Sequence, residues 1–124
     1  MFCRRRYYRT LAEGEITIQE FKNKLKQGAS LLDVRSKQEY SEGHIKGAIN
    51  IPEHEIDKEV EKIFPNKTQM ILIYCRSGSR SKSAYIKMKK KGYTQIYSLY
   101  GGLEMMWINK IIGQTSSIIL FVII

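Results

Sequence analysis

The stretch that decides the fold is MILIYCRSGSRSKS, residues 70–83. Its first five residues, 70–74, form a short apolar run that predicts a strand buried on both faces of a parallel sheet. A loop of small and basic residues, 75–80, follows this strand, and residues 82–91 then have helical composition and end before a glycine. The order of strand, tight loop and helix therefore places Cys75 at the N-terminus of a helix.

This position favours a nucleophilic role for Cys75 over a role in core packing. A helix N-terminus presents unpaired backbone N–H groups and the positive end of the helix dipole, and both stabilise an anion. Cysteines at such places, with arginines nearby, ionise more readily than free cysteine, so Cys75 is predicted to be a thiolate at neutral pH. A cysteine that only packs in a core needs neither Arg76 and Arg80 nor the small residues 77–79, whose amides can form an anion nest.

The length of the chain and its few cysteines limit the number of domains and the redox compartment. The 124 residues are enough for one domain with a hydrophobic core that needs no disulfide. The two cysteines are not expected to pair, because Cys3 lies in a basic, tail-like start, and this usage fits a reducing compartment and a cytoplasmic protein. The alternative is that Cys3 resolves an oxidised Cys75.

The net charge of +9 raises the question of a nucleic-acid partner. Basic residues concentrate at 4–6, 22–26 and 82–91, without zinc-finger spacing or an RNA-binding aromatic motif. Lysine runs on helices usually form solvated faces, so we expect no nucleic-acid partner. The charge is better explained as attracting small anions toward Cys75.

Strands and helices alternate along the rest of the chain. A capping box of Thr17 and Glu20 predicts a helix start. The further predicted elements are a strand over 29–34, a helical turn over 37–40, a strand over 48–51, a helix through Ile56, Val60 and Ile63, a strand over 95–99 and a helix over 103–111. This alternation indicates an α/β three-layer domain with a mostly parallel sheet.

Three polar residues are candidates for supporting the site. Asp33 and Arg35 follow a predicted strand at its carboxyl end, where α/β proteins place their sites, and are expected to hold neighbouring loops by an ion pair. The alternative is an ordinary surface salt bridge. For His44 the alternatives are a base, a metal ligand or a hydrogen-bonded structural role. No second histidine stands at metal-ligand spacing, so the structural role is favoured, and neither a metal nor a cofactor is expected.

Both ends of the chain fall outside the predicted domain. Residues 1–14 read as a basic tail without the apolar segment of a signal peptide, although an organellar presequence stays open. Residues 113–124 form an apolar tail whose IILFVII segment, 118–124, is shorter than the ~20 residues needed to span a bilayer. Packing on the domain, dimerisation, contact with a membrane surface or a truncated reading frame are all open for it.

Four blocks in the domain, 15–112, resemble a single-domain rhodanese in order and spacing. They are Asp33–Val34–Arg35; Tyr40, Gly43–His44–Ile45 and Gly47–Ala48–Ile49–Asn50–Ile51–Pro52; Tyr74–Cys75–Arg76–Ser77–Gly78–Ser79–Arg80–Ser81; and Gly92, Leu99, Gly101, Gly102 and Trp107. Lys46 departs from the pattern, since the family often has proline there. The resemblance implies a three-layer rhodanese-like fold with a mostly parallel five-stranded sheet flanked by helices.

The resemblance also implies transfer of a sulfane sulfur. Cys75 would attack the outer sulfur of thiosulfate or of a protein persulfide, become a persulfide, and pass the sulfur to a thiol or to cyanide. Loop amides would stabilise the thiolate and the persulfide. The substrate-binding loop would be Arg76, Ser77, Gly78, Ser79 and Arg80. Of its two arginines, Arg80 is favoured as the one that holds an anionic donor, because it ends the loop.

Three other functions are alternatives to an enzyme that transfers sulfur. A cysteine phosphatase or arsenate reductase of the same fold uses Cys-x₅-Arg, whereas Cys75 and Arg80 enclose four residues, a smaller ring that suits one sulfur atom better than phosphate. A persulfide carrier or sensor with little turnover would use the same chemistry at Cys75, and the sequence does not separate it from an enzyme. Sulfur delivery to RNA rests on the positive charge alone.

Overall fold

Five parallel strands form the central sheet of the computed structural model, which describes residues 11–111 and 121–122. In chain order the strands are β1 (Glu15–Ile16), β2 (Ser30–Asp33), β3 (His44–Ile45), β4 (Ile49–Asn50), β5 (Ile71–Tyr74), β6 (Ile96–Leu99) and β7 (Phe121–Val122). The sheet order is β1-β6-β5-β2-β4, and each neighbouring pair is parallel. This arrangement confirms the α/β fold class predicted from the sequence.

Helices cover both faces of the sheet. They are α1 (Ile18–Lys26), α2 (Lys37–Glu42), α3 (Ile56–Ile63), α4 (Ser79–Lys90) and α5 (Gly102–Ile111), with one 3₁₀ turn, Glu53–Glu55. Successive residues of a strand point to opposite faces. Accordingly, Leu32 lies in a core cluster with Met88 of α4, and its neighbour Leu31 in a second cluster with Phe21 of α1. Residues of α3 join the first cluster and residues of α5 the second, which makes three layers.

β5 lies in the middle of the sheet, as its apolar run predicts. All four of its residues are fully buried, because β2 and β6 flank it and helices cover both faces. Its last residue, Tyr74, pairs in register with Asp33, the last residue of β2. The carboxyl ends of the two strands therefore bring the loop after Tyr74 next to the residues after Asp33.

Two helices around this edge are longer than predicted. α4 begins at Ser79 rather than at Lys82, because Gly78 adopts a φ of 106° and turns the chain directly into the helix. α2 runs to Glu42 instead of stopping after one turn, and it starts with a capping box between Ser36 and Glu39. The sequence carries this S-x-x-E pattern at Ser36–Glu39, a signal for the start of a full helix.

Part of the apolar tail packs on the domain. β7 pairs antiparallel with β3, matching His44 to Val122 and Ile45 to Phe121. The predicted turn around His44 therefore also contains a short strand. Cys3, the rest of the basic tail to residue 10, and residues 112–120 and 123–124 lie outside the described residues. In the part that is described, none of the helices combines the length and the apolar character needed to cross a membrane.

Candidate active site

The sulfur of Cys75 lies at the N-terminus of α4 and accepts two backbone hydrogen bonds. The N–H of Gly78 donates to Sγ at 3.1 Å and the N–H of Ser81 donates to it at 3.4 Å. Gly78 is the N-cap residue and Ser81 lies in the first turn of the helix, so both N–H groups lack a partner within the helix. Cys75 as a whole is 1% exposed. The predicted placement of Cys75 against amides of a helix N-terminus is thus present.

Two buried serines, Ser81 and Ser98, connect the sulfur of Cys75 to the central sheet. The sequence does not predict either of them as a site residue. Ser81 Oγ lies 3.7 Å from Cys75 Sγ and donates to the carbonyl of Gly78 at 3.1 Å. Ser98 of β6 brings its Oγ within 2.8 Å of Ser81 Oγ, and both residues are fully buried. The place of Ser81 in the first helical turn after Cys75 was a usable signal. Ser98 carried none, because only strand pairing brings it there.

The N-terminus of α5 holds the backbone at the start of the loop. The N–H of Leu103 donates to the carbonyl of Cys75 and the N–H of Glu104 to that of Arg76, both at 3.0 Å. All described peptide bonds are trans, so each backbone N–H points opposite to the carbonyl that precedes it. The N–H groups of Arg76 and Ser77, which follow these two carbonyls, therefore point away from α5. Gly102 permits this approach: a Cβ there would lie 2.5 Å from the carbonyl oxygens of Cys75 and Arg76.

Both arginines of the loop face one carboxylate, that of Glu39 in α2. Arg80 forms a bidentate ion pair with Glu39, in which Nη1 donates to Oε1 at 2.7 Å and Nη2 donates to Oε2 at 3.2 Å. Arg76 Nε lies 3.7 Å from Oε2, with 65% of its side chain exposed against 38% for Arg80. The sequence predicts the arginines as anion ligands, whereas it does not predict Glu39 as part of the site.

The ion pair shifts the pKa values of both Glu39 and Arg80. The Arg80 hydrogen bonds outweigh partial burial and lower the pKa of Glu39 from its usual 4.5 to about 2. The Glu39 carboxylate in turn raises the pKa of Arg80, with a smaller contribution in the same direction from the Cys75 sulfur. Glu39 is therefore charged at neutral pH, and Arg80 interacts electrostatically with the sulfur of Cys75.

Asp33 and Arg35 form a buried ion pair. Arg35 Nη2 lies 2.7 Å from Asp33 Oδ2 and also donates to the carbonyl of Gly43 at 2.7 Å. Asp33 is fully buried and Arg35 is 7% exposed, so the alternative of an ordinary surface salt bridge is wrong. Asn50 adds hydrogen bonds from its Nδ2 to the carbonyls of Asp33 and Arg35, both at 2.9 Å. The pair thus joins the end of β2 to the start of β3.

His44 lies against α2. Its Nδ1 is 2.8 Å from the carbonyl of Tyr40, and the two rings stack with centroids 3.7 Å apart. The geometry agrees with the hydrogen-bonded structural role. Across residues 11–111 and 121–122, no group of three or more metal-ligating side chains comes together.

The middle of the loop after Cys75 is partly open to solvent. Ser77 and Ser79 are exposed, whereas Gly78 between them is buried.

Comparison with known proteins defines the class. The model of the rhodanese-like domain family matches residues 17–108, most of the 124-residue chain. The chain therefore belongs to the rhodanese-like family, and this confirms the resemblance seen in its sequence.

Named relatives and a solved structure add detail. The chain is 37% identical over 92 residues to the putative sulfur carrier protein YrkF of Bacillus subtilis, covering 73% of this chain and 49% of YrkF, about half the length of that relative. It is 33% identical over 82 residues to thiosulfate sulfurtransferase PspE of Escherichia coli, covering 66% of this chain and 78% of PspE. The human single-domain sulfurtransferase TSTD1 has a similar structure, with a TM-score of 0.69, 26% identity and coverage of 80% and 98% of the two chains. These relatives indicate a rhodanese-type sulfurtransferase family.

Proposed function

We propose that this protein is a sulfurtransferase that moves a sulfane sulfur through a persulfide on Cys75. The observation that carries the proposal is the pair of N–H groups, from Gly78 and Ser81, that donate to Cys75 Sγ at 3.1 and 3.4 Å. Such donors stabilise negative charge on sulfur at a helix N-terminus. They act on the resting thiolate and on the anion that forms after transfer.

In the first step, the Cys75 thiolate attacks the outer sulfur of thiosulfate or of a persulfide. A new S–S bond forms at Cys75, the S–S bond of the donor breaks, and its electron pair leaves on sulfite or on a thiolate. The product is an anionic persulfide on Cys75. The proton count does not change, and the transferred sulfur carries the negative charge.

In the second step, a thiolate or cyanide attacks the outer sulfur of that persulfide. The S–S bond at Cys75 breaks and its electron pair returns to the cysteine as thiolate, while the acceptor leaves as a persulfide or as thiocyanate. The cycle closes without a cofactor, because the sulfane sulfur is passed on at one oxidation level. Cysteine usage suggests that it runs in a reducing compartment such as the cytoplasm.

Intact-mass measurement tests the proposal. Exposure to thiosulfate should add the mass of one sulfur atom to the protein, and cyanide should remove it. Cys75→Ser should show no gain while keeping the thermal unfolding midpoint of the unchanged protein. Retention of the gain in Cys75→Ser, or its absence in the unchanged protein with both thiosulfate and a persulfide donor, would overturn the proposal.

A persulfide carrier with little turnover is the second candidate. Its support is the similarity to YrkF, named as a putative sulfur carrier, and the 1% exposure of Cys75, which restricts access to the sulfur. Comparison of single-turnover sulfur gain with steady-state thiocyanate formation separates the two. Fast gain with negligible turnover would favour a carrier, whereas sustained turnover would favour the enzyme. Hydrolysis of an aryl phosphate that depends on Cys75 would instead support a phosphatase.

A further inference from the structure

We propose that Glu39 sets the charge of the donor that this site accepts, so that singly charged sulfane donors are preferred over dianionic thiosulfate. The favoured donors are persulfides and thiosulfonates. This inference rests on the proposed sulfur transfer at Cys75 and adds the donor class and the residue that selects it. Glu39 acts through the arginines of the loop, as a specificity-determining residue.

Three charged side chains meet at the loop after β5: two arginines and one carboxylate. Arg76 and Arg80 are the two cationic side chains of residues 75–80. Both lie against the one carboxylate of Glu39, Arg80 at 2.7 Å and Arg76 at 3.7 Å. Two positive charges and one negative charge leave a net charge of +1 beside the Cys75 thiolate.

The buried ion pair of Asp33 and Arg35 does not alter this count. Asp33 is buried and neutralised by Arg35 at 2.7 Å. The remaining positive charge of the loop therefore faces an anionic sulfur and an incoming donor. A persulfide or thiosulfonate adds one negative charge, whereas thiosulfate adds two and is repelled about twice as strongly by every carboxylate and thiolate in reach.

Glu39 is held where it is and does not move aside readily. Its Oε1 accepts the N–H of Ser36 at 3.1 Å, while the Ser36 hydroxyl accepts the N–H of Glu39 at 3.1 Å. This capping box lies at the N-terminus of α2, where the helix dipole favours a carboxylate. A dianion that recruited Arg80 would have to break the pair with Glu39 and leave that carboxylate without its main partner.

The test compares two donors of similar shape that differ by one charge, thiosulfate and methanethiosulfonate, with the same thiol acceptor. In Glu39→Gln the amide oxygen can still accept from Ser36 and Arg80, but the charge is gone. We expect kcat/KM to rise about fivefold per unit of donor charge, so that the ratio of thiosulfate to methanethiosulfonate rises by about fivefold. An equal change for both donors, or a fall in the ratio, would overturn the proposal.

Two variants separate charge from structure. Glu42→Gln removes the same charge from the same helix, but Glu42 pairs with Gln38 and not with the loop, so the donor ratio should stay within about twofold of the unchanged protein. Glu39→Asp keeps the charge on a shorter side chain and should keep the ratio near its original value even if activity falls. A ratio that shifts in Glu39→Asp as much as in Glu39→Gln would count against a charge effect.

A binding readout keeps this inference distinct from the proposed function. Sulfate and methanesulfonate should protect Cys75 from alkylation by iodoacetamide, and Glu39→Gln should improve protection by sulfate about fivefold more than protection by methanesulfonate. That shift without any sulfur gain in the mass spectrum would support the role of Glu39 and overturn sulfur transfer. Sulfur gain with no differential shift would support transfer and overturn the role of Glu39.

Discussion

Ser98 Oγ lies 2.8 Å from Ser81 Oγ, and Ser81 Oγ lies 3.7 Å from Cys75 Sγ, with all three residues buried. The Ser98 hydroxyl on the central sheet therefore contacts the Ser81 hydroxyl, which in turn lies against the sulfur of Cys75. Each hydroxyl has one proton to donate, and Ser81 directs its own to the carbonyl of Gly78 at 3.1 Å. Ser98 is therefore the donor in its contact with Ser81.

This contact predicts a non-additive pair of serine substitutions. Ser81→Ala should cost about 1–3 kcal/mol of unfolding free energy, because it leaves the Ser98 hydroxyl buried without that partner. Ser81→Ala/Ser98→Ala should cost no more than Ser81→Ala alone, since both members of the pair are then gone. Urea unfolding of the two single variants and the double variant measures the coupling. Costs that simply add would show that the serines do not interact.

A second prediction concerns the close approach of α5 to the loop. Gly102→Ala places a Cβ 2.5 Å from two carbonyl oxygens and also takes a positive φ of 60°. We expect a loss of stability clearly above the roughly 1–2 kcal/mol of a left-handed backbone alone, together with loss of sulfur transfer. Gly28→Ala is the matched control, because Gly28 has a φ of 95° but nothing within 4 Å of its Cβ position. Equal unfolding costs for the two variants would contradict the steric argument.

The two arginines of the loop should contribute unequally to donor binding. Arg80→Ala should raise the KM for thiosulfate about tenfold, and more than the KM for a singly charged persulfide donor, because it removes the less exposed cation of the loop and thiosulfate carries the larger charge. Arg76→Ala should raise it by less, since 65% of that side chain is exposed to solvent. Steady-state kinetics with both donors measures these effects. Equal KM changes for the two donors would mean that Arg80 shapes the loop without binding anions.

The Glu39–Arg80 pair predicts a dependence of stability on pH. The pKa of Glu39 falls from 4.5 to about 2 on folding, so the folded state binds this proton less tightly than the unfolded state. The contribution is fully present above about pH 4.5 and is lost as the pH falls toward about 2. Because solvent reaches Arg80, we expect the pair to contribute roughly 1 kcal/mol to the free energy of unfolding. Urea unfolding between these pH values should show a smaller decline in Glu39→Gln, and an unchanged decline would argue against the pair.

Local signals in the sequence determined much of the fold and the position of the nucleophile. The apolar run before Cys75 was enough to predict a central buried strand, because strands covered on both faces are mostly made of apolar residues. The loop of small residues and the helix after it placed Cys75 at a helix N-terminus. Likewise, the Thr17–Glu20 capping box predicted the start of α1, and the structure contains both of its hydrogen bonds.

Only the tertiary structure decided what surrounds the sulfur and its arginines. Glu39 is 41 residues before Arg80, and Ser98 is 17 residues after Ser81. The Ser36–Glu39 pattern predicts a helix cap, but a capping carboxylate shows nothing in the sequence of a second, distant partner. Ser98 reaches the site because β6 pairs with β5 in the register that sets it opposite Ile73. Periodicity and capping are local, whereas strand pairing and ion pairs across helices depend on how the whole chain packs.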